Sequence, residues 1–265
     1  MQAPRGRLYE SPRWVPEAES FQWVDIIMST IHRWTPTSGV VTTRKLDLEY
    51  VTMALPFDGD RSLVASRESL HEFSWSTETL VCLGSWRFSS GVRFNDGALA
   101  PNGDVYVGTM SMDRQPSLGT LFRFQDGQLI PVVEKVGISN GLGWMTEGRA
   151  YYVDSMVPRI NLLTLGPEGT RLGRFADLDP SDEPDGLVVT PNELLVALWD
   201  GSRLARWTHD GNRLDDVEVP VRRPTAVAVG GSDGDTLFVT TADVDGLGDG
   251  LDGLPLVTQM SSFQN

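Results

Sequence analysis

The chain has 265 residues, 40% of them hydrophobic and 22% charged, a composition that excludes disorder as the main state and allows a large buried core. Its 22 lysines and arginines against 36 aspartates and glutamates leave a net charge of −14, which repels phosphate backbones and anionic headgroups. Nucleic acid and membrane surfaces are therefore excluded as partners and a small-molecule substrate is expected, while the oligomeric state is left open.

The first residues, Met1-Gln-Ala-Pro-Arg-Gly-Arg-Leu-Tyr9, carry charge and no apolar run, so neither a secretory signal nor a membrane span is expected and the reading is cytoplasmic. Beyond them, glycines and prolines separate short runs of Val, Leu, Tyr, Trp, Phe and Thr, the pattern of many short strands. Six of these runs look alike: Trp23-Val24-Asp25, Leu63-Val64-Ala65, Tyr106-Val107-Gly108, Tyr152-Val153-Asp154, Leu195-Val196-Ala197 and Phe238-Val239-Thr240. Their central valines lie 40, 43, 46, 43 and 43 residues apart. After each anchor a turn leads to a strand closing on an aromatic, as in Ile31–Trp34, Leu70–Phe73, Leu121–Phe124 and Leu204–Trp207. A β-sandwich has no reason to hold one period along the whole chain. Several strands per unit at this period predict an all-β, six-bladed β-propeller, with residues 1–265 as one domain.

Blades converge only at the axis, so shared function is expected where the innermost strands begin. Counting 11 to 14 residues back from each anchor valine reaches Glu10, Asn95, Asn140, Asp185 and Thr225, with only the second copy apolar, around Val51 and Met53. Singly, Asn95-Asp96-Gly97, Asn140-Gly141 and Asp185-Gly186 read as turn dipeptides. Their common offset points instead to a shared ligand, because an unpaired buried amide or carboxylate costs several kcal/mol. Glu10, Asn140 and Asp185 offer oxygen donors with two negative charges, suited to a hard divalent cation such as Ca²⁺, Mg²⁺ or Mn²⁺. Arg93, two residues before Asn95, can share its side of the strand. Thr225 is expected to cap its strand locally.

Other features are expected to be structural. Asp243–Asp249 fails the EF-hand pattern at Leu247 and Leu254, and Gly230–Asp235 reads as a turn. His32 and His71 share one outer blade position. Cys82, the one cysteine, excludes an internal disulfide and is expected as a small buried hydrophobe. With three histidines there are few soft ligands for a metal, and no Gly-x-Ser-x-Gly nucleophile signature occurs.

Glu10-Ser-Pro-Arg-Trp14, Arg93-Phe-Asn-Asp-Gly97, Gly108-Thr-Met110, Ser139-Asn-Gly-Leu142, Pro184-Asp-Gly-Leu187 and Arg223-Pro-Thr225 together resemble the senescence marker protein/gluconolactonase, or regucalcin-like, family from Glu10 to about Ala242. The resemblance implies a six-bladed propeller with one divalent cation held by Glu10, Asn140 and Asp185. Ca²⁺ is the first expectation, with Zn²⁺, Mg²⁺ and Mn²⁺ as alternatives. It further implies a metal-dependent lactonase in which Arg93 and Asn95 bind substrate and Asp185 helps activate water. The chain departs from the family in three places. Ser11 replaces the usual glycine after Glu10. Ser111–Ser117 is short, with Asp113 its one acid where sugar lactonases carry a glutamate. Asp243–Asn265 has Leu254–Val257 as its one apolar run, so incomplete ring closure is expected. Another metal-dependent enzyme on the same site, a cyclase, isomerase or phosphoester hydrolase, and a non-catalytic calcium-binding propeller remain as alternative readings.

Overall fold

The computed structural model describes residues 1–246, 248 and 250–263. Each apolar run becomes a strand, and consecutive strands pair antiparallel into six sheets. The first contains β1 (Tyr9–Val15), β2 (Ser20–Asp25), β3 (Thr30–Trp34) and β4 (Val41–Lys45). The second contains β5 (Met53–Pro56), β6 (Arg61–Ala65), β7 (Ser69–Ser74) and β8 (Leu80–Ser85). The third is built from β9 (Val92–Leu99), β10 (Val105–Ser111), β11 (Gly119–Gln125) and β12 (Gln128–Val136). The fourth has β13 (Ser139–Thr146), β14 (Arg149–Asp154), β15 (Arg159–Gly166) and β16 (Gly169–Asp177). The fifth has β17 (Glu183–Val189), β18 (Glu193–Trp199), β19 (Arg203–Thr208) and β20 (Arg213–Glu218). The sixth has three strands among the described residues, β21 (Pro224–Gly230), β22 (Thr236–Thr241) and β23 (Leu256–Gln259).

The first strands of successive sheets lie side by side, β1 to β5 to β9 to β13 to β17 to β21 and back to β1, which makes the molecule a six-bladed propeller. All six anchor triplets fall on second strands, and the aromatic-closing segments fall on third strands. Second strands are buried on both faces, as β2 and β10 are along their whole length, because each blade is covered by a neighbour on either side. The core is accordingly divided into six apolar clusters, one in each wedge between adjacent blades. Fully burying a Val, Leu or Phe side chain contributes roughly 1.5–3 kcal/mol, so each wedge binds its two blades firmly. Outer strands face water. Cys82 sits on one of them, β8, and is exposed, which corrects the expectation of a buried thiol. His32 and His71 do occupy matching places on β3 and β7, and the His32 ring is held by the hydroxyls of Thr30 and Thr43 at 2.8 Å each.

Ring closure is made by the N-terminal segment. Leu8 bridges to Ala242, Gly6 N–H donates to the Gly253 carbonyl at 2.8 Å, and Asp243 N–H donates to the Arg7 carbonyl at 2.9 Å. Thr225 does more than cap its strand, since its buried hydroxyl donates to the Tyr9 carbonyl at 2.6 Å and lies 2.8 Å from the Thr240 hydroxyl. The C-terminal apolar run supplies the short β23, and Met260 packs into the wedge between the fifth and sixth blades. Of the segment expected to close the ring poorly, Leu247, Asp249, Gln264 and Asn265 lie outside the described residues. Thr225→Val keeps the shape and removes the hydroxyl, leaving a buried carbonyl short of a donor. Thermal unfolding should show a loss of about 1–3 kcal/mol with turnover per folded molecule retained. An unchanged melting temperature would remove Thr225 from ring closure. No helix among the described residues is long and apolar enough to cross a membrane.

Candidate active site

The five polar repeat positions share a local device. Pairing of first to second strand skips between Glu10 and Arg13, across Asn95-Asp96, between Ser139 and Leu142, between Pro184 and Leu187, and between Pro224 and Ala226. The second blade, apolar at this position, pairs from Met53 to Pro56 without a shift. A bulge leaves a residue out of the ladder and re-aims its side chain, so the dipeptides that read as turns are bulges inside inner strands. The glycines after Asn140 and Asp185 follow from crowding. A Cβ on Gly141 would stand 2.6 Å from the Asp185 carbonyl oxygen, and one on Gly186 would stand 2.2 Å from the Ala226 Cβ.

Ser11, the residue after Glu10, takes φ of 53°. Its buried hydroxyl accepts the Ala54 N–H of the second blade at 3.3 Å. Ser11→Gly relieves roughly 1 kcal/mol of left-handed strain but strips a buried amide of its acceptor, costing about 1–3 kcal/mol. A small net fall in melting temperature is expected, and a rise would show that the hydroxyl contributes nothing.

Glu10, Arg93, Asn95, Asn140 and Asp185 all line one cavity of about 150 Å³ where the inner strands begin. Thr225 is not part of that lining. Arg93 donates to the Phe94 carbonyl at 2.7 Å and to Asn95 Oδ1 at 2.9 Å, and Asn95 Nδ2 donates to the Ser139 carbonyl at 3.1 Å, linking the third blade to the fourth. Asn140 Nδ2 donates to Ser155 Oγ at 3.0 Å and to Asp185 Oδ1, so the amide spans the fourth and fifth blades. Its Oδ1 is buried without a hydrogen-bond partner.

The electrostatics of the cavity are dominated by carboxylates. Burial, then the neighbouring Asp96, pushes Glu10 up to about 8, against the pull of the Ser11 N–H, Arg93 and Arg13. Asp185 is raised well above the usual carboxylate range by burial, then by Glu10 and Asp96. Asp96 is itself raised by burial, with Arg13 3.5 Å away as the opposing charge. Burial lowers Arg93 to about 10, while Glu10 counters the shift. Among the described residues no three His, Cys, Asp or Glu side chains form a metal cluster. The donor set is instead two carboxylates and an amide, and it fits a hard cation: an orphaned amide oxygen, crowded negative charge and oxygen atoms alone.

Several lining residues carried no signal in the sequence. Arg114, in the Ser111–Ser117 loop, forms an ion pair with Glu183 on β17 across the cavity, and Ser155 orients Asn140. Leu8, Ile26, Met110, Ile138 and Trp199 make up the apolar wall. Asp96 was visible only as the middle of a turn-like triplet.

A family model described as the SMP-30/Gluconolactonase/LRE-like region matches residues 8–243. The chain is 32% identical over 260 residues to the pentonolactonase XacC of Haloferax volcanii, covering 93% of this chain and 86% of that protein. It is 30% identical over 257 residues to the regucalcin of Gallus gallus, covering 92% and 85%. A calcium-binding protein, regucalcin, from Agrobacterium tumefaciens has the same fold, with a TM-score of 0.84 at 24% identity, covering 92% of this chain and 86% of that one. With its six blades, its bulged inner strands and a family match along nearly its whole length, the chain belongs to the SMP-30/gluconolactonase/LRE-like family.

Proposed function

We propose that this protein is a hydrolase that opens a lactone with the help of one divalent cation, Ca²⁺ foremost, held by Glu10, Asn140 and Asp185. The observation that carries the reading is the partnerless Asn140 Oδ1 in a cavity shared with two crowded carboxylates. The relative named a pentonolactonase supports the reaction class, and the two named regucalcin, one of them described as a calcium-binding protein, support the ion. When bound, such a cation supplies Lewis acidity at the acyl oxygen and at water.

The chain's own residues do the rest. Arg93 and Asn95 lie side by side at 2.9 Å in the cavity and offer N–H donors to the lactone's oxygens. Asp185, a carboxylate lining the cavity, is the group placed to take a proton from water as water adds to the acyl carbon. The ring C–O bond then breaks, and the departing alkoxide recovers the proton as the hydroxyl of a hydroxy acid. Asn140, donating to Asp185 Oδ1, fixes which carboxylate oxygen stays free. The apolar wall limits access of bulk water.

Purified protein stripped with a chelator should lose lactone hydrolysis and recover it on adding Ca²⁺, and Asn95→Ala should mainly raise KM with the cation retained. A fully active protein containing no metal by elemental analysis would overturn the proposed cation dependence.

A further inference from the structure

Trp199 is the one aromatic side chain among the described residues that line the cavity. It is the last residue of β18 and stands directly opposite Glu183 of β17 in the antiparallel ladder. Residues opposite each other in such a pair project from the same face of the sheet, so Trp199 and Glu183 reach the cavity together. Glu183 is fixed there by its ion pair with Arg114.

The Trp199 ring is covered from outside the cavity. The Arg223 guanidinium lies over it, with Cζ 5.2 Å from the ring centroid, within the range of a cation–π contact. Arg223 is itself tied down: Nε donates to Asp200 Oδ1 at 2.7 Å, Nη1 donates to Asp245 Oδ2 at 2.9 Å, and the side chain is 13% exposed. Asp200 is the residue after Trp199, so the backbone beside the ring and the cation over it are joined by one hydrogen bond. Arg223 is not among the lining residues, and the surface that Trp199 gives the cavity is therefore the part of the ring that Arg223 leaves uncovered. A side chain held in place before a ligand arrives loses little entropy when the ligand binds. The polar groups of the lining serve a ligand's oxygens, whereas a rigid aromatic surface gives broad contact to the carbon face of a small ring.

We propose, resting on the lactonase reading above, that Trp199 binds the substrate by stacking against the carbon face of its lactone ring, and that Arg223, without touching substrate, is the positioning residue that holds the Trp199 ring.

The test measures kcat and KM for δ-valerolactone and glucono-δ-lactone, with Ca²⁺ supplied, in the wild type, Trp199→Phe, Trp199→Leu and Arg223→Met. Phenylalanine keeps a flat ring, leucine keeps apolar bulk without one, and methionine at 223 removes the ties to Asp200 and Asp245. Trp199→Leu should raise KM roughly three- to tenfold, the worth of an aromatic contact, with kcat within about twofold because the contact is the same in the ground and transition states. Trp199→Phe should stay within about twofold of the wild type, and Arg223→Met should raise KM by a smaller factor than Trp199→Leu, again with kcat held. Circular dichroism confirms the fold of each variant, and Trp199→Met, a second flexible apolar replacement, takes the place of Trp199→Leu if that protein does not fold. A wild-type KM in the leucine variant, or equal KM values for leucine and phenylalanine, overturns the stacking and leaves the lactonase reading standing. An unchanged KM in Arg223→Met overturns the role of Arg223. Hydrolysis of neither lactone by the wild type overturns the lactonase reading itself, and this inference with it.

Discussion

Asp185→Asn should lower kcat by roughly 10²- to 10⁴-fold, the range for loss of a general base, while making the cation-free protein more stable. The amide keeps one oxygen and nearly the same volume, and Asn140 Nδ2 can still donate to it. What goes is the lone pair that accepts water's proton and the charge that Glu10 and Asp96 oppose. When ionised in the cation-free fold, that charge is a liability, because Asp185 is 4% exposed and Glu10 and Asp96 oppose it, with Arg114 a smaller compensating charge. Each kcal/mol of relief should raise the melting temperature by roughly 2–4 °C in a protein of this size. Asn95→Ala shares the same blade position, yet breaks bonds to Arg93 and the Ser139 carbonyl. It should destabilise the fold and raise KM, so the two substitutions move stability in opposite directions. Wild-type turnover in Asp185→Asn with a full complement of metal would remove Asp185 from the mechanism.

The blades were legible because second strands are buried and each centres on a valine preceded by an aromatic residue or leucine, a pattern that recurs once per blade. Fourth strands escaped notice for the same reason reversed. Stretches such as Gly169–Asp177 on β16 face solvent and have no periodic apolar pattern to read. The site's ring position was legible from the repeat, since bulges recur at one offset and admit polar residues only there. That Thr225 stands apart from the residues sharing the cavity was legible, but its actual partner was not. Its polarity at the same offset serves a hydrogen bond to Tyr9 across the closing junction, a partner 216 residues away. The Arg114–Glu183 pair is hidden likewise, because it joins a loop of the third blade to the fifth blade over 69 residues of chain. Cys82 is exposed although its residue type favours burial, because its place on an outer strand decides its exposure.

Thermal stability of the cation-free protein should fall as pH rises from about 5 to about 8, and added Ca²⁺ should restore it by an amount that grows over the same interval. In the unfolded chain Glu10 gives up its proton in the ordinary carboxylate range near 4.5, whereas in the fold it holds it up to about 8. Between those values the native state binds more protons than the unfolded state, so the stability it contributes is complete below the lower value and is lost as pH passes through the higher one. Asp185 is shifted the same way and adds to the slope. A cation has to displace those protons at low pH and meets free carboxylates at high pH, which fixes the direction of the coupling. At a hundredfold excess over its dissociation constant it adds about 2.7 kcal/mol, or roughly 5–10 °C in melting temperature. Scanning calorimetry on chelator-treated protein with and without millimolar Ca²⁺, at both ends of the interval, reads the effect directly. Glu10→Gln should flatten the slope of the stripped protein and shrink the Ca²⁺ shift together, since one carboxylate causes both. A stripped protein whose melting temperature ignores pH here, or a Ca²⁺ shift equal at both ends, would mean that Glu10 and Asp185 do not repel each other in the fold, and the case for a cation between them would lose its physical basis.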